Sequence, residues 1–495
     1  MTARTLSGAG LRLLAHHDLG GHGDGMQVLR QGPVLYLGHT GTSGMGTSIL
    51  DVADPGHPVL AAQWPAPPHS HTHKVQVADG FLLVNHEKFP YRSQRRDGHS
   101  AGLAVYSLAD PLDPRQIGFW ASGGRGVHRV VWTGGRYAHL SVTPAGFRDR
   151  IWAVLDLADP ARPAEAGRWW WPGQADDETP EWPEGRRYAA HHALLAGDRA
   201  YLGYDDAGLV VLDVSDLTRP RQVAGLQWDG GSTHTCLPLP GRGLVVATDE
   251  QVRDGPHAPQ RAIRVIDVSG DRPRVLGVCP PPGAEFDRLP LRFGAHNLHE
   301  NRPASYRSER LIFATYFSAG VRVYDLADPA RPREIAHWIP EPPPGQPVAQ
   351  LNDLFVDDEG LIWVTDRIGG GLYVLEPEPS LAGAMREAVD LLRPADGDRD
   401  PARPVPRLGI AGDIHDREAA EVLLGLDVRA VGEQRGAAAR VDAAHGGRRV
   451  QAAVAEDEDT GRRHLLDQGP PGRASLAQLL QREVGHPLVI EGDQV

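Results

Sequence analysis

Five histidines stand at one recurring position along this chain: His73 in THKVQVADG, His128 in VHRVVWTGG, His192 in HHALLAGD, His234 in THTCLPLPG and His296 in AHNLHENRP. Each precedes a glycine-containing turn by six or seven residues, once an insertion is allowed for in the last segment. NDLFVDDEG offers Asp353 at the same place, and an early segment offers Gly25 beside Asp24. Neutral imidazoles are the commonest nitrogen donors to zinc, copper and iron. Three or four of them would hold an ion and leave a position open for water or substrate. The preferred ligands are His73, His128, His234 and His296, with His192 close behind; His191 replaces it if the register slips by one. A single histidine at a strand start is better read as satisfying backbone groups and water. Five at one register, beside an aspartate, reverse that balance.

Carboxylates lie where they could support such ligands. Glu87, Asp205, Asp249 and Asp366 end the apolar runs that follow the histidines, and Glu300 comes just after His296. A carboxylate that accepts the second ring N–H of a ligand fixes its tautomer and raises its basicity. His299 is either a support of this kind or an alternate ligand. Taken one at a time, these acids read more readily as turn residues on a solvated rim.

The residues must be brought together by a repeat, because they are spread over more than half the chain. ILDVADPGHPVLAAQW recurs in variant form, and the aligned residues Asp51, Ser107, Asp156, Asp213, Asp267 and Asp325 are separated by steps of 56, 49, 57, 54 and 58 residues. GLYVLEPEP is a seventh copy, with Glu376 another 51 residues on. The D-P-x-x-P core suits a turn, since proline presets φ and aspartate caps the turn. Two further apolar runs precede each copy, so each unit holds four strands. Four-stranded units of this length, repeated, read as propeller blades. The expected fold is all-β: a seven-bladed β-propeller over residues 8–380, closed by an N-terminal strand in LRLLAHH (11–17) that completes the last blade. First strands line a propeller's channel, so their starts form a ring at one mouth.

These strand motifs, LVVLDV, AIRVIDV and GVRVYDL, resemble the LVIVD-repeat β-propellers over about residues 10–378. The likeness is most specific in AHNLHENRP followed by LIFATYFSAGVRVYDLADPARPREIAHWIPEPP. It implies the fold and no particular activity. A fainter resemblance is to selenium-binding proteins and methanethiol oxidases, propellers with histidines at blade starts; it implies a copper site and sulfur chemistry.

Long connections at 172–188, 280–293, 340–350, 88–100 and 251–260 emerge on the histidine side, and 300–309 on the other. Long loops on a rigid scaffold commonly act as lids. Arg92, Arg95, Arg96, Arg186, Arg187 and Arg292 could there hold an anionic substrate. Net charge is −13, which argues against a nucleic-acid partner. No apolar run reaches the ~20 residues of a membrane span, and the N-terminus does not read as a signal peptide, so a cytoplasmic location is expected. Cys236 and Cys279 make neither a disulfide framework nor a CxxC pair. After Tyr373 no aromatic residue occurs, and residues 381–495 read as a weakly folded or disordered extension with short helices at REAVDLL, EAAEVLLGLDV and SLAQLLQREV.

The leading functional reading is a metal-dependent oxidoreductase or oxygenase acting on a small molecule, with copper or iron(II) favoured and zinc, with hydrolase or lyase chemistry, as the alternative. A non-catalytic propeller that binds a protein or ligand on its loop face is the main reading from another class, with Trp169, Trp170, Trp171 and Trp182 as contact anchors. A metal-free lyase with one histidine as general base is the third.

Overall fold

The computed structural model describes residues 4–90, 98–229, 232–250, 252, 262–270, 272–283 and 285–390, and the strand segments 439–445, 448–456 and 463–467. Arg92, Arg95 and Arg96 lie outside the described residues, as do EAAEVLLGLDV and SLAQLLQREV.

The recurring aspartate terminates the third strand of its unit and caps the turn that follows. Asp51, Asp156, Asp213, Asp267 and Asp325 each accept the backbone N–H two residues on, at 2.9–3.0 Å. A side-chain carboxylate thus replaces the ladder bond that the turn loses. The third strands are apolar on both faces because both are covered: Val210, Leu212, Val265 and Ile266 are buried.

Among the described residues up to 390, antiparallel pairing yields five four-stranded sheets and one nine-stranded sheet, the latter joined by a single pair, Gly126 with Glu87; divided there, the strands fall into seven groups. Their innermost strands are Gly25–Gln31, Ser70–His71 with Val75–Ala78, Gly126–Val131, His192–Ala196, Thr233–Leu239 and Leu351–Val356. The sixth group differs: its innermost stretch is irregular, held by a bridge from Leu298 to Ala314. We call the groups blades 1 to 7. Innermost strands pack on their neighbours around the ring, including Leu351–Val356 on Gly25–Gln31. Leu11–His17 pairs with Gly371–Pro377 as the fourth strand of blade 7, the pairing that the expected closure calls for. Thr5–Ala9 adds an outer strand to blade 6, pairing with Arg333–Pro340, a feature the sequence reading did not contain.

The expected boundary at residue 380 falls within a helix, Pro379–Asp390. Leu381, Met385 and Ala388 of that helix are buried in one apolar cluster with Tyr306, Leu354 and Leu375, so the first compact unit runs to Arg393. Residues 386–390 of REAVDLL are in this helix, and the rest of that segment lies outside the described residues. The second unit, from Pro394, contains a three-stranded antiparallel sheet, Ala439–His445, Arg448–Glu456 and Arg463–Asp467, in a stretch to which the sequence assigned no element.

One irregularity of the first strands decides the site. In blades 1, 2, 3, 5 and 7 the first strand carries one residue more than its partner, as where Val127 and Arg129 pair with adjacent Val142 and Ser141, leaving His128 between them. A bulge of this kind re-aims side chains, so that two successive residues face the channel instead of alternating.

Candidate metal centre

Side-chain contacts sort these residues into two layers. In the outer layer the rings of His73, His128, His191, His234 and His296 touch one another in succession, while Lys74, Arg129 and Asn297, each the next residue in its segment, belong to a deeper network. His192 and Asp353, both expected in the ring, are members of that network, and His191 stands in the ring instead. His71, from the two-residue strand just ahead, extends the outer layer.

Six imidazoles form a continuous arc. Ring centroids are 3.9 Å apart from His71 to His73, then 5.1, 4.8, 3.7 and 4.4 Å on through His128, His191, His234 and His296. His296 stacks on Phe317 at the arc's end. Burial pushes His73, His191, His234 and His296 well below the ordinary histidine range, aided by neighbouring imidazoles or by the cations Lys74 and Arg129. His128 is pushed down to about 3 by burial, against the opposing pull of Glu87. These five rings are neutral near pH 7, the state in which imidazole ligates metals.

Hydrogen-bond partners fix the tautomers. His128 Nδ1 lies 2.8 Å from Glu87 Oε2, so it carries the proton and Nε2 is left as an acceptor. His191 Nε2, 3.1 Å away, donates to it. The Nδ1 lone pair of His191 is then free, buried and without a hydrogen-bond partner. His296 Nδ1 donates to the Asn352 carbonyl at 2.7 Å, which presents its Nε2 lone pair 3.6 Å from Glu250 Oε1. Glu250 is itself held by Arg292 at 2.8 Å.

Two sets of donor atoms converge, each within 4.8 Å: His71, His73 and Glu87, and His191, His234 and Glu250. Burial pushes the Glu87 carboxyl up, but His128 and His71 together outweigh it and hold it well below the usual carboxylate range. His71 and Glu250 were absent from the sequence reading. The alternation H-x-H-x-H at 69–73 puts His71 and His73 on one face of an extended chain and could have marked His71. Glu250 follows Thr248 by the same two residues that separate Glu87 from Asn85, a correspondence visible only once the strand ends are aligned.

The other expected acids do not touch the imidazole arc. Asp205 meets Arg150 and Arg187, Asp249 takes Trp228 Nε1 and Arg264, and Asp366 caps the backbone N–H groups of Gln350, Ile368 and Gly370. His299 is a structural residue: Nε2 donates to Tyr306 O at 2.7 Å and Nδ1 accepts from Val356 N at 3.2 Å. Arg186, Arg187 and Arg292 all form ion pairs with carboxylates of the chain, so a substrate anion would have to compete for them. Trp169, Trp171 and Trp182 pack with Tyr188 and Tyr204.

The deeper layer is a charge network. Lys74 lies 3.8 Å from Asp353, and Arg129 donates to Asn297 Oδ1 at 2.9 Å and Glu300 Oε1 at 3.2 Å. His192 Nε2 is also 3.1 Å from Glu300 Oε1, although its alignment does not make a hydrogen bond. Arg302, from the 300–309 connection, joins this network, donating to Gln76 Oε1 at 2.6 Å and Trp132 O at 2.8 Å. Lys74 and Arg129 add to the burial that keeps the arc's imidazoles unprotonated.

The LVIVD repeat family model matches residues 190–224, which contain His191 and His192. No curated protein matches the sequence. Similar solved structures include a Lactobacillus plantarum protein (13% identity, TM-score 0.47, covering 70% of this chain and 96% of that one). A hypothetical selenium-binding protein from Sulfolobus tokodaii matches at 12% identity and TM-score 0.44, over 67% of this chain and 87% of its own. The WD40 β-propeller domain of Doa1 matches at 9% identity and TM-score 0.46, over 75% and 99%. No helix among the described residues is long and apolar enough to cross a membrane.

Proposed function

We propose that this protein is a metal-dependent oxidoreductase or oxygenase acting on a small molecule at the imidazole-lined mouth of its channel. The observation that carries this reading is the buried, unpartnered Nδ1 of His191, converging with His234 and Glu250. A buried lone pair without a partner costs about 1–3 kcal/mol, a cost that a bound cation removes. Two imidazoles and one carboxylate are the donor set of non-haem iron(II) sites, so iron(II) moves ahead of copper, with zinc as the redox-inert alternative. Such an ion would supply a binding position for O₂ or for a substrate oxygen.

The chain's own groups prepare that position. Glu87, through His128, fixes the His191 tautomer, and the Asn352 carbonyl does the same for His296. Arg292 holds Glu250 and stacks over Phe317, with 5.7 Å from guanidinium carbon to ring centre. Ligands locked in this way bind without reorganisation.

The test is elemental analysis of protein purified without a histidine tag, beside His191→Ala and His234→Ala variants checked for fold by circular dichroism. Iron or copper in the parent, lost in the folded variants, supports the reading. Zinc alone would move it to hydrolytic or lyase chemistry. No bound metal after reconstitution with iron, copper, manganese and zinc would overturn it in favour of a binding propeller.

A further inference from the structure

We propose that the arc holds two metal ions, the second bound by His71, His73 and Glu87. This rests on the reading of the arc as a metal site, and it adds a separate centre contributed by blade 2 alone.

Both ring nitrogens of His71 face acceptors: Thr40 O at 3.1 Å and Glu87 Oε2 at 2.8 Å. His71, His73 and Glu87 each offer a donor atom within 4.8 Å of the others, and a cation held by His71 Nε2 and the carboxylate would leave His71 Nδ1–H to the Thr40 carbonyl. The spacing agrees, because neighbouring ligands ~2.0–2.2 Å from one ion stand about 3 Å apart. Two more atoms in this group await a partner. His73 Nε2 and Glu87 Oε1 are buried and have no hydrogen-bond partner. Glu87 is 1% exposed, so water does not serve it from bulk.

The two groups share no ligand. His71, His73 and Glu87 come from blade 2, while His191, His234 and Glu250 come from blades 4 and 5. His128 stands between them, with Nδ1 on Glu87 and Nε2 on His191 Nε2. Both of its nitrogens are thereby engaged, which makes it a spacer between two ions and not a ligand to either. Each group has the same composition, two imidazoles and a carboxylate, so both suit the same class of ion, a divalent transition metal such as iron(II).

The experiment is a cobalt(II) count on the full chain, stripped with chelator, dialysed against excess cobalt and measured by elemental analysis. Two equivalents are expected. His73→Ala should retain one and Glu250→Gln should retain the other, with distinct visible absorption bands disappearing in each. One equivalent in the parent chain, lost in Glu250→Gln and kept in His73→Ala, would overturn this inference and leave the proposed function standing. No equivalents would overturn both. Loss of both ions in His73→Ala, with the fold intact by circular dichroism, would overturn the separation into independent sites. The count on the parent chain decides the matter even where a variant fails to fold.

Discussion

His128 Nε2 lies 3.1 Å from His191 Nε2, across the seam between blades 3 and 4. The contact transmits the Glu87 carboxylate's choice of tautomer from blade 2 to blade 4. Replacing His128 by phenylalanine keeps the ring volume but frees His191 to adopt either tautomer. Metal affinity at the His191 group should fall about 10–100-fold, as for other residues that orient a ligand. Competition with a chromophoric chelator would measure it. Unchanged affinity would mean that His191 is oriented by packing alone.

A buried pair beneath the arc gives a second prediction. Lys74 and Asp353 are nearly inaccessible and 3.8 Å apart. Removing one partner leaves the other charge uncompensated, which costs about 3–5 kcal/mol. Asp353→Leu should therefore destabilise the chain more than the double variant Lys74→Met with Asp353→Leu. Urea denaturation of the three metal-free proteins tests this, and additive losses would remove the pair from the account.

His139 offers a pH readout remote from the arc. It stacks on Trp152 in blade 3, and burial holds its pKa at about 4. An unfolded histidine titrates near ~6.5. The folded value is the lower one, so the stability it confers is complete above ~6.5 and is lost as pH falls through about 4. His139→Phe should be less acid-sensitive than the parent chain, by on the order of 2 kcal/mol between pH 7 and pH 4.5. Urea midpoints of the metal-free proteins at those two pH values would show it, and parallel curves would refute it.

The closing strand predicts a contrast between two truncations. Leu11–His17 completes blade 7 and buries Leu11 and Ala15, whereas Thr5–Ala9 is exposed throughout. Deleting residues 1–9 removes an exposed ladder on Arg333–Pro340, with the contacts of Thr5 Oγ1 to Trp338 Nε1 at 2.9 Å and Ser7 Oγ to His337 Nε2 at 3.1 Å, and should cost about 1–2 kcal/mol. Deleting residues 1–17 unpairs Gly371–Pro377 and should lower the melting midpoint by roughly 10 °C or more. Scanning calorimetry distinguishes the two, and equal losses would deny the strand its closing role.

The blades were legible because most copies carry an aspartate at the strand end and a proline in the turn after it, and where serine replaces the aspartate, at Ser107, its hydroxyl takes the same backbone N–H. The ring was legible as histidines at a common register. Its membership was not. A count from the downstream turn is good to one residue, and one residue is the difference between His191 and His192 in the regular first strand of blade 4, as it is beside the bulge of blade 7 at Asp353. His71 was passed over because three residues, 72–74, interrupt the strand that carries it. The tail's sheet escaped because AARVDAAH and RRVQAAVAE are rich in alanine, which favours a helix when no neighbour is known.

Arg302 ties three parts of the chain together. Carried by the 300–309 connection, its guanidinium donates to Gln76 Oε1 in blade 2 and to the carbonyl of Trp132, just past the first strand of blade 3. Three stretches far apart in sequence thus share one buried clasp, and a change at any of them is felt by the other two.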